Sequence, residues 1–161
     1  VGSGITHAIH TGSNKEGLEL TLQAVKDKLP KAELKVADCT ENPDKYFIFT
    51  NLVDTDMLFG HRNDALGYAR AIEEIDTYID KIQESMTDED ILVITADHGC
   101  DPAYPTTDHT REYVPLLILG PKVRPVNLGT RHSFADIAPT GTDLLGVEYQ
   151  TPGKSFAAEI V

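Results

Sequence analysis

Asp54, Asp56, His61, Asp97, His98 and His109 are the side chains whose types and spacing allow chemistry. Asp54 and Asp56 follow directly on an apolar run at 46–53, and Asp97 and His98 follow directly on another at 91–95. His61 lies five residues beyond Asp56, and His109 lies on a loop at 99–112 rich in Asp, Pro and Thr. A mixed set of carboxylates and imidazoles suits Mn²⁺, Zn²⁺ or Fe²⁺ better than the all-oxygen shells of Ca²⁺ or Mg²⁺. Two such ions about 3.5 to 4 Å apart are a recurrent device for stabilising the attacking and leaving oxygens of phosphoryl transfer. A single Asp or His in a loop is more often solvated or capping than ligating, and position relative to the strands is what marks a candidate ligand. By that criterion His7 and His10 are read as structural, His132 leans the same way, and Cys100 is only a neighbour of the loop.

The elements that must position these groups follow from periodicity. In open parallel α/β sheets, ligands bind beyond the carboxyl ends of the strands. Parallel strands at 46–53 and 91–95 would therefore carry Asp56 and Asp97 to one edge, with His61 and His109 folding back over it. Ser13 followed by Glu16 predicts a capping-box start for a helix that reaches about residue 29 and stops at Pro30. A strand is expected at 33–38 and a third apolar strand at 114–119, with Pro115 near its start. Tyr68, Ile72, Ile75, Ile79, Ile82 and Met86 recur at steps of four and three and predict an amphipathic helix. Pro139 suits the first turn of a closing helix that ends near Leu145, with Gly146 as its C-cap. The expected class is α/β: a mostly parallel sheet sandwiched by helices, in a single domain over residues 1–161.

Composition narrows the partners. A formal net charge of −12 argues against nucleic acid and against an anionic membrane surface. An anionic substrate such as a phosphate ester would then need a local cation, which a bound divalent metal supplies. The apolar stretch at 114–119 is far shorter than the roughly 20 residues of a membrane span. Two cysteines, Cys39 and Cys100, are too few for a disulfide framework and fit a cytoplasmic location. The start Val1-Gly-Ser-Gly-Ile has neither an initiator Met nor a secretory pattern, so the sequence is expected to begin inside a longer polypeptide.

Four stretches carry a resemblance. Asp54-Thr-Asp-Met-Leu-Phe-Gly-His-Arg62, Thr95-Ala-Asp-His-Gly99, Thr107-Asp-His-Thr-Arg-Glu-Tyr-Val-Pro115 and Ser133-Phe-Ala-Asp-Ile-Ala-Pro-Thr140 resemble, in order and spacing, the phosphopentomutases of the alkaline phosphatase superfamily. The resemblance runs over essentially the whole chain. It implies an alkaline phosphatase-like core and the interconversion of ribose or deoxyribose 1-phosphate and 5-phosphate, with a bisphosphate intermediate as activator. It also implies that Asp56, His61 and His109 hold one Mn²⁺ and that Asp97 and His98 hold part of a second. Asp54 is the competing carboxylate, although the five-residue step to His61 favours Asp56. Arg111 is a candidate phosphate clamp, since a guanidinium offers a bidentate fork. Members of the family are more than twice this length. The chain is accordingly expected to be the C-terminal portion of the core, without the N-terminal core segment, the Thr nucleophile or the cap domain. It is expected to bind about one Mn²⁺ rather than two and to be inactive alone. Thr55, Thr95 and Thr110 match no nucleophile motif. The alternatives are another metal-dependent mutase, phosphatase, phosphodiesterase or sulfatase of the superfamily, or a metal-binding module without catalysis.

Overall fold

The computed structural model describes residues 5, 8–27 and 45–161. His7, Pro30, Cys39 and the strand expected at 33–38 lie outside the described residues. The chain divides into two compact units, one formed by Val1–Met86 with His98–Val114 and the other by Thr87–Asp97 with Pro115–Val161.

In the first unit, helix α1 (Asn14–Asp27) begins as its sequence predicts, with Ser13 Oγ accepting from the Glu16 amide at 3.2 Å. The return half of the capping box differs: the Glu16 carboxylate accepts from the Gly12 amide rather than from Ser13. Helix α2 (Ala65–Ser85) is capped by Asp64, whose carboxylate accepts from the Gly67 amide at 2.9 Å. The two helices pack against each other. Leu18 and Ala24 of α1 are buried, as are Ala71, Tyr78 and Ile82 of α2. Full burial of a side chain the size of Leu18 or Ile82 contributes about 1.5 to 3 kcal/mol. The α2 stripe is therefore present but rotated: Ala71 and Tyr78 turn inward, while Ile72 is 47% exposed. A seam at 68, 71, 75, 78 and 82 alternates steps of three and four, which keeps one helix face against a neighbour.

The run at 46–53 forms no β ladder, contrary to the strand expected there. It is bound to α1 instead. Thr50 Oγ1 and Thr21 Oγ1 lie 2.6 Å apart, and a Cβ added to Gly17 would meet Leu52 at 3.3 Å. Asp54 completes the set: its carboxylate accepts from the Asn14 amide at 2.7 Å, and its own amide donates to Asn14 Oδ1 at 2.9 Å. Positions 21, 17 and 14 share one helix face, and positions 50, 52 and 54 meet it in turn. The alternate residues Phe47 and Phe49 are 72% and 80% exposed.

The second unit holds strands β1 (Leu92–Thr95) and β2 (Leu116–Leu119), paired antiparallel with Leu92 opposite Leu119 and Thr95 opposite Leu116. The α/β class holds, but the mostly parallel sheet does not appear among the described residues, whose only sheet is this antiparallel pair. One face of each strand is open, with Val93 and Leu117 at 39% and 53% exposure. Helix α3 (Ile137–Leu145) ends as predicted: Gly146 adopts φ 69°, and its amide donates to the Asp143 and Thr142 carbonyls. Helix α4 (Ala157–Ile160) packs on α3, burying Phe156 and Ile160. No described helix is long and apolar enough to cross a membrane.

Candidate metal centre

Directly after Asp54 the chain winds into a π-helical turn (Thr55–Phe59) and tightens into a 3-10 turn (Gly60–Arg62). Asp56 thus reaches the site from a turn and not from the end of a strand. In a regular α-helix, residues five apart point in directions about 140° apart, given 3.6 residues per turn. The widened turn followed by the tight one removes that divergence, as π turns at functional sites often do. As a result His61 Nε2 lies 3.3 Å from Asp56 Oδ2.

The third group arrives from the loop after His98. An isolated antiparallel bridge joins Gly99 and Thr110, closing the loop at its base. Thr110 uses its hydroxyl both ways, accepting from the Asp101 amide at 2.7 Å and donating to the Glu112 carboxylate. Gly99 has no room for a side chain, because a Cβ there would meet the Glu112 amide and the Thr110 carbonyl at 2.7 Å. From this base His109 Nε2 comes to 3.4 Å from Asp56 Oδ1 and 3.2 Å from His61 Nε2.

Asp56, His61 and His109 each offer one ligand atom, and these atoms lie within 4.8 Å of one another. Two observations fit this trio to a cation. First, His61 Nδ1 is hydrogen-bonded to the Thr107 carbonyl. A carbonyl only accepts, so Nδ1 is the donor of this bond and Nε2 is the nitrogen turned toward Asp56 and His109. That arrangement of a backbone carbonyl behind an imidazole is a usual second partner of a metal-binding histidine. Second, Asp56 Oδ1 is buried and has no hydrogen-bond partner among the described residues. A buried carboxylate oxygen without a donor is costly unless a cation meets it.

The surroundings are electronegative. The Cys100 thiol is pushed up from its ordinary value by burial and by Asp56, Glu112 and Asp101. The Tyr68 hydroxyl is pushed up in the same sense by burial, then by Cys100, Asp56 and Glu112. Cys100 therefore remains a thiol at neutral pH, which makes it a poor nucleophile. It is a free cysteine lying against Gly60, where an added Cβ would come to 2.5 Å from its sulfur.

The other expected site residues fall as follows. His98 stacks on His109, with ring centroids 3.5 Å apart and planes inclined by 16°. Asp97 is exposed and is the last residue of the Thr87–Asp97 segment of the second unit. Asp54 holds the start of α1, and Asp56 is the carboxylate that faces the two imidazoles. Arg111 is exposed, and so are His10 and His132. Sequence reasoning did not find the Thr107 carbonyl, since a backbone acceptor leaves no mark in residue type. The contact of Gly60 with Cys100 was equally unmarked, beyond the presence of a glycine between two candidate ligands.

A family model described as the metalloenzyme superfamily matches residues 9–149. Among curated relatives, a phosphopentomutase of Acetivibrio thermocellus is 45% identical over 99% of this chain and 38% of its own length. Those of Symbiobacterium thermophilum and Desulfitobacterium hafniense are each 47% identical over 99% of this chain, covering 37% and 38% of the relative. The chain thus spans under two fifths of the length of the relatives it matches.

Proposed function

Because the chain belongs to the metalloenzyme superfamily, we propose that it is the C-terminal, metal-binding portion of a phosphopentomutase core that interconverts ribose or deoxyribose 1-phosphate and 5-phosphate. The observation that carries the reading is the convergence of Asp56, His61 and His109 around a buried carboxylate oxygen that has no hydrogen-bond partner among the described residues, in a chain 45% identical to a phosphopentomutase. In this reading the three residues hold one Mn²⁺, and Asp97 and His98 contribute to a second in the complete enzyme. A divalent cation bound there supplies Lewis-acid polarisation of a phosphoryl oxygen and offsets the negative charge of the phosphate.

The chain's own residues have separable tasks. Asp56 gives the anionic oxygens. His61 keeps Nε2 inward because Thr107 fixes its other nitrogen. The stack of His98 on His109 limits rotation of both rings. Arg111 is the candidate guanidinium for the substrate phosphate, and a bisphosphate sugar serves as activator. The nucleophile is assigned to no residue of this chain. A cytoplasmic location fits such a substrate.

Calorimetric titration with Mn²⁺ tests the metal assignment. The wild-type chain is expected to bind about one ion, as three protein ligands suffice for an open site. His109→Ala is expected to bind at least about 10-fold more weakly, the lower end of the loss seen even for outer-sphere partners. Equal affinity of the two proteins would remove the assignment.

A further inference from the structure

The turn that carries His61 ends on Asn63, the only non-glycine residue with positive φ among the described residues, at φ 53° and ψ 31°. Its amide donates to the Gly60 carbonyl at 3.1 Å, ending the 3-10 turn, and Asp64 then caps α2. Asparagine tolerates this left-handed conformation better than most residues, but glycine would serve it with less strain. The side chain gives a further reason for asparagine. Nδ2 lies 2.7 Å from the Tyr104 carbonyl, 2.9 Å from that of Thr106 and 3.4 Å from that of Pro102. The three acceptors alternate along a loop made of a turn and successive bends, whose curl brings their carbonyls round a single amide group.

The loop so held continues into the site. Thr107, next after Thr106, supplies the carbonyl that fixes His61 Nδ1, and His109 follows two residues later. Asn63 is two residues from His61, at the end of the turn that faces this loop. Apart from Asn63, the hydrogen bonds between the loop and the turn among the described residues run through His61, to the Thr107 carbonyl and to His109 Nε2.

We propose that Asn63 is a positioning residue of the metal centre: its carboxamide clamps the 102–106 loop to the His61 turn, and so sets the Thr107 carbonyl against His61 and the His109 ring against Asp56. The inference rests on the metal reading for its functional consequence, but its structural part does not.

Two variants separate the side chain from the backbone. Asn63→Gly keeps the left-handed conformation and removes the amide. Asn63→Asp keeps shape and conformation but replaces donors with acceptors that face three carbonyls. Mn²⁺ titration of the intact chain is expected to show roughly 10-fold weaker binding for Asn63→Gly, the scale for loss of an outer-sphere partner, and a larger loss for Asn63→Asp. Helix content by circular dichroism is expected to stay at the wild-type level. In the metal-free chain, imidazole ¹⁵N shifts of His61 are expected to move from the Nδ1–H form toward a mixture, with faster amide exchange at 102–107. Wild-type affinity in both variants would overturn the proposal. If the wild type bound no Mn²⁺, the metal reading would fail by itself. The His61 shifts would then decide: unchanged shifts in Asn63→Gly overturn the clamp, and altered ones support it.

Discussion

Two carboxylates two residues apart, Asp54 and Asp56, have opposite duties, and the difference comes from what each meets. Asp54 accepts from the first amide of α1, where a carboxylate also faces the positive end of the helix dipole. Asp56, on the turn that follows, faces two imidazole Nε2 atoms and keeps a buried oxygen without a donor. Replacing each by Ala should separate the roles. Asp54→Ala is expected to lower stability by on the order of 1 kcal/mol, as lost caps do, while Mn²⁺ affinity changes little. Asp56→Ala is expected to abolish detectable Mn²⁺ binding while thermal stability falls less than in Asp54→Ala. Denaturant unfolding and metal titration on both variants check this, and the opposite ranking would reverse the assignment. Residue type nominated both aspartates and the five-residue step to His61 favoured Asp56; the reciprocal bonds that occupy Asp54 were not legible, because they join positions 40 residues apart.

The element that makes the centre is the irregular turn from Thr55 to Arg62. No periodicity announced it, since five and three residues are too few to show a repeat. Its close fit depends on Gly60, which is buried with the Cys100 sulfur against it. Gly60→Ala should force the turn and the thiol apart, destabilising by about 1 to 3 kcal/mol, as overpacking does, and weakening Mn²⁺ binding. Cys100→Ala in the same chain should restore part of both, giving a non-zero coupling energy in a double-mutant cycle. Purely additive effects would show that the contact is not what matters. The helices behaved differently from the turn. Their caps at Ser13, Asp64 and Gly146 were readable or chemically regular because capping is local. The rotation of the α2 stripe away from Ile72 was not readable, since an apolar residue at the edge of a stripe faces inward only if a neighbour is there to cover it.

At the scale of the whole molecule, an acidic chain of net charge −12 makes pH a lever on stability. Asp136 is buried, with Oδ1 accepting from the Lys154 amide and Oδ2 from Arg131 Nε, each at 2.9 Å. The Lys154 bond chiefly, then Arg131, holds its carboxyl below the ordinary value, against the opposing effect of burial. The native state therefore binds its proton less readily than the unfolded chain does. The resulting stability is fully present above the unfolded value, near 3.9, and is lost as pH falls through the lower folded value. Asp136→Asn is expected to lower stability at pH 7 and to flatten its decline below about pH 4, measured by denaturant unfolding across that range. An unchanged slope would mean another carboxylate governs acid unfolding. What the sequence alone determined was what is written in local chemistry: the helix start at Ser13 and the helix stop at Gly146, apolar strands within 91–95 and 114–119, and a set of Asp and His residues suited to a divalent ion. What only the tertiary structure decided was the direction of strand pairing, the docking of 46–54 on α1 and the meeting of Asp56, His61 and His109. Those depend on contacts between residues far apart in the chain, and such contacts leave no periodic signature in either partner.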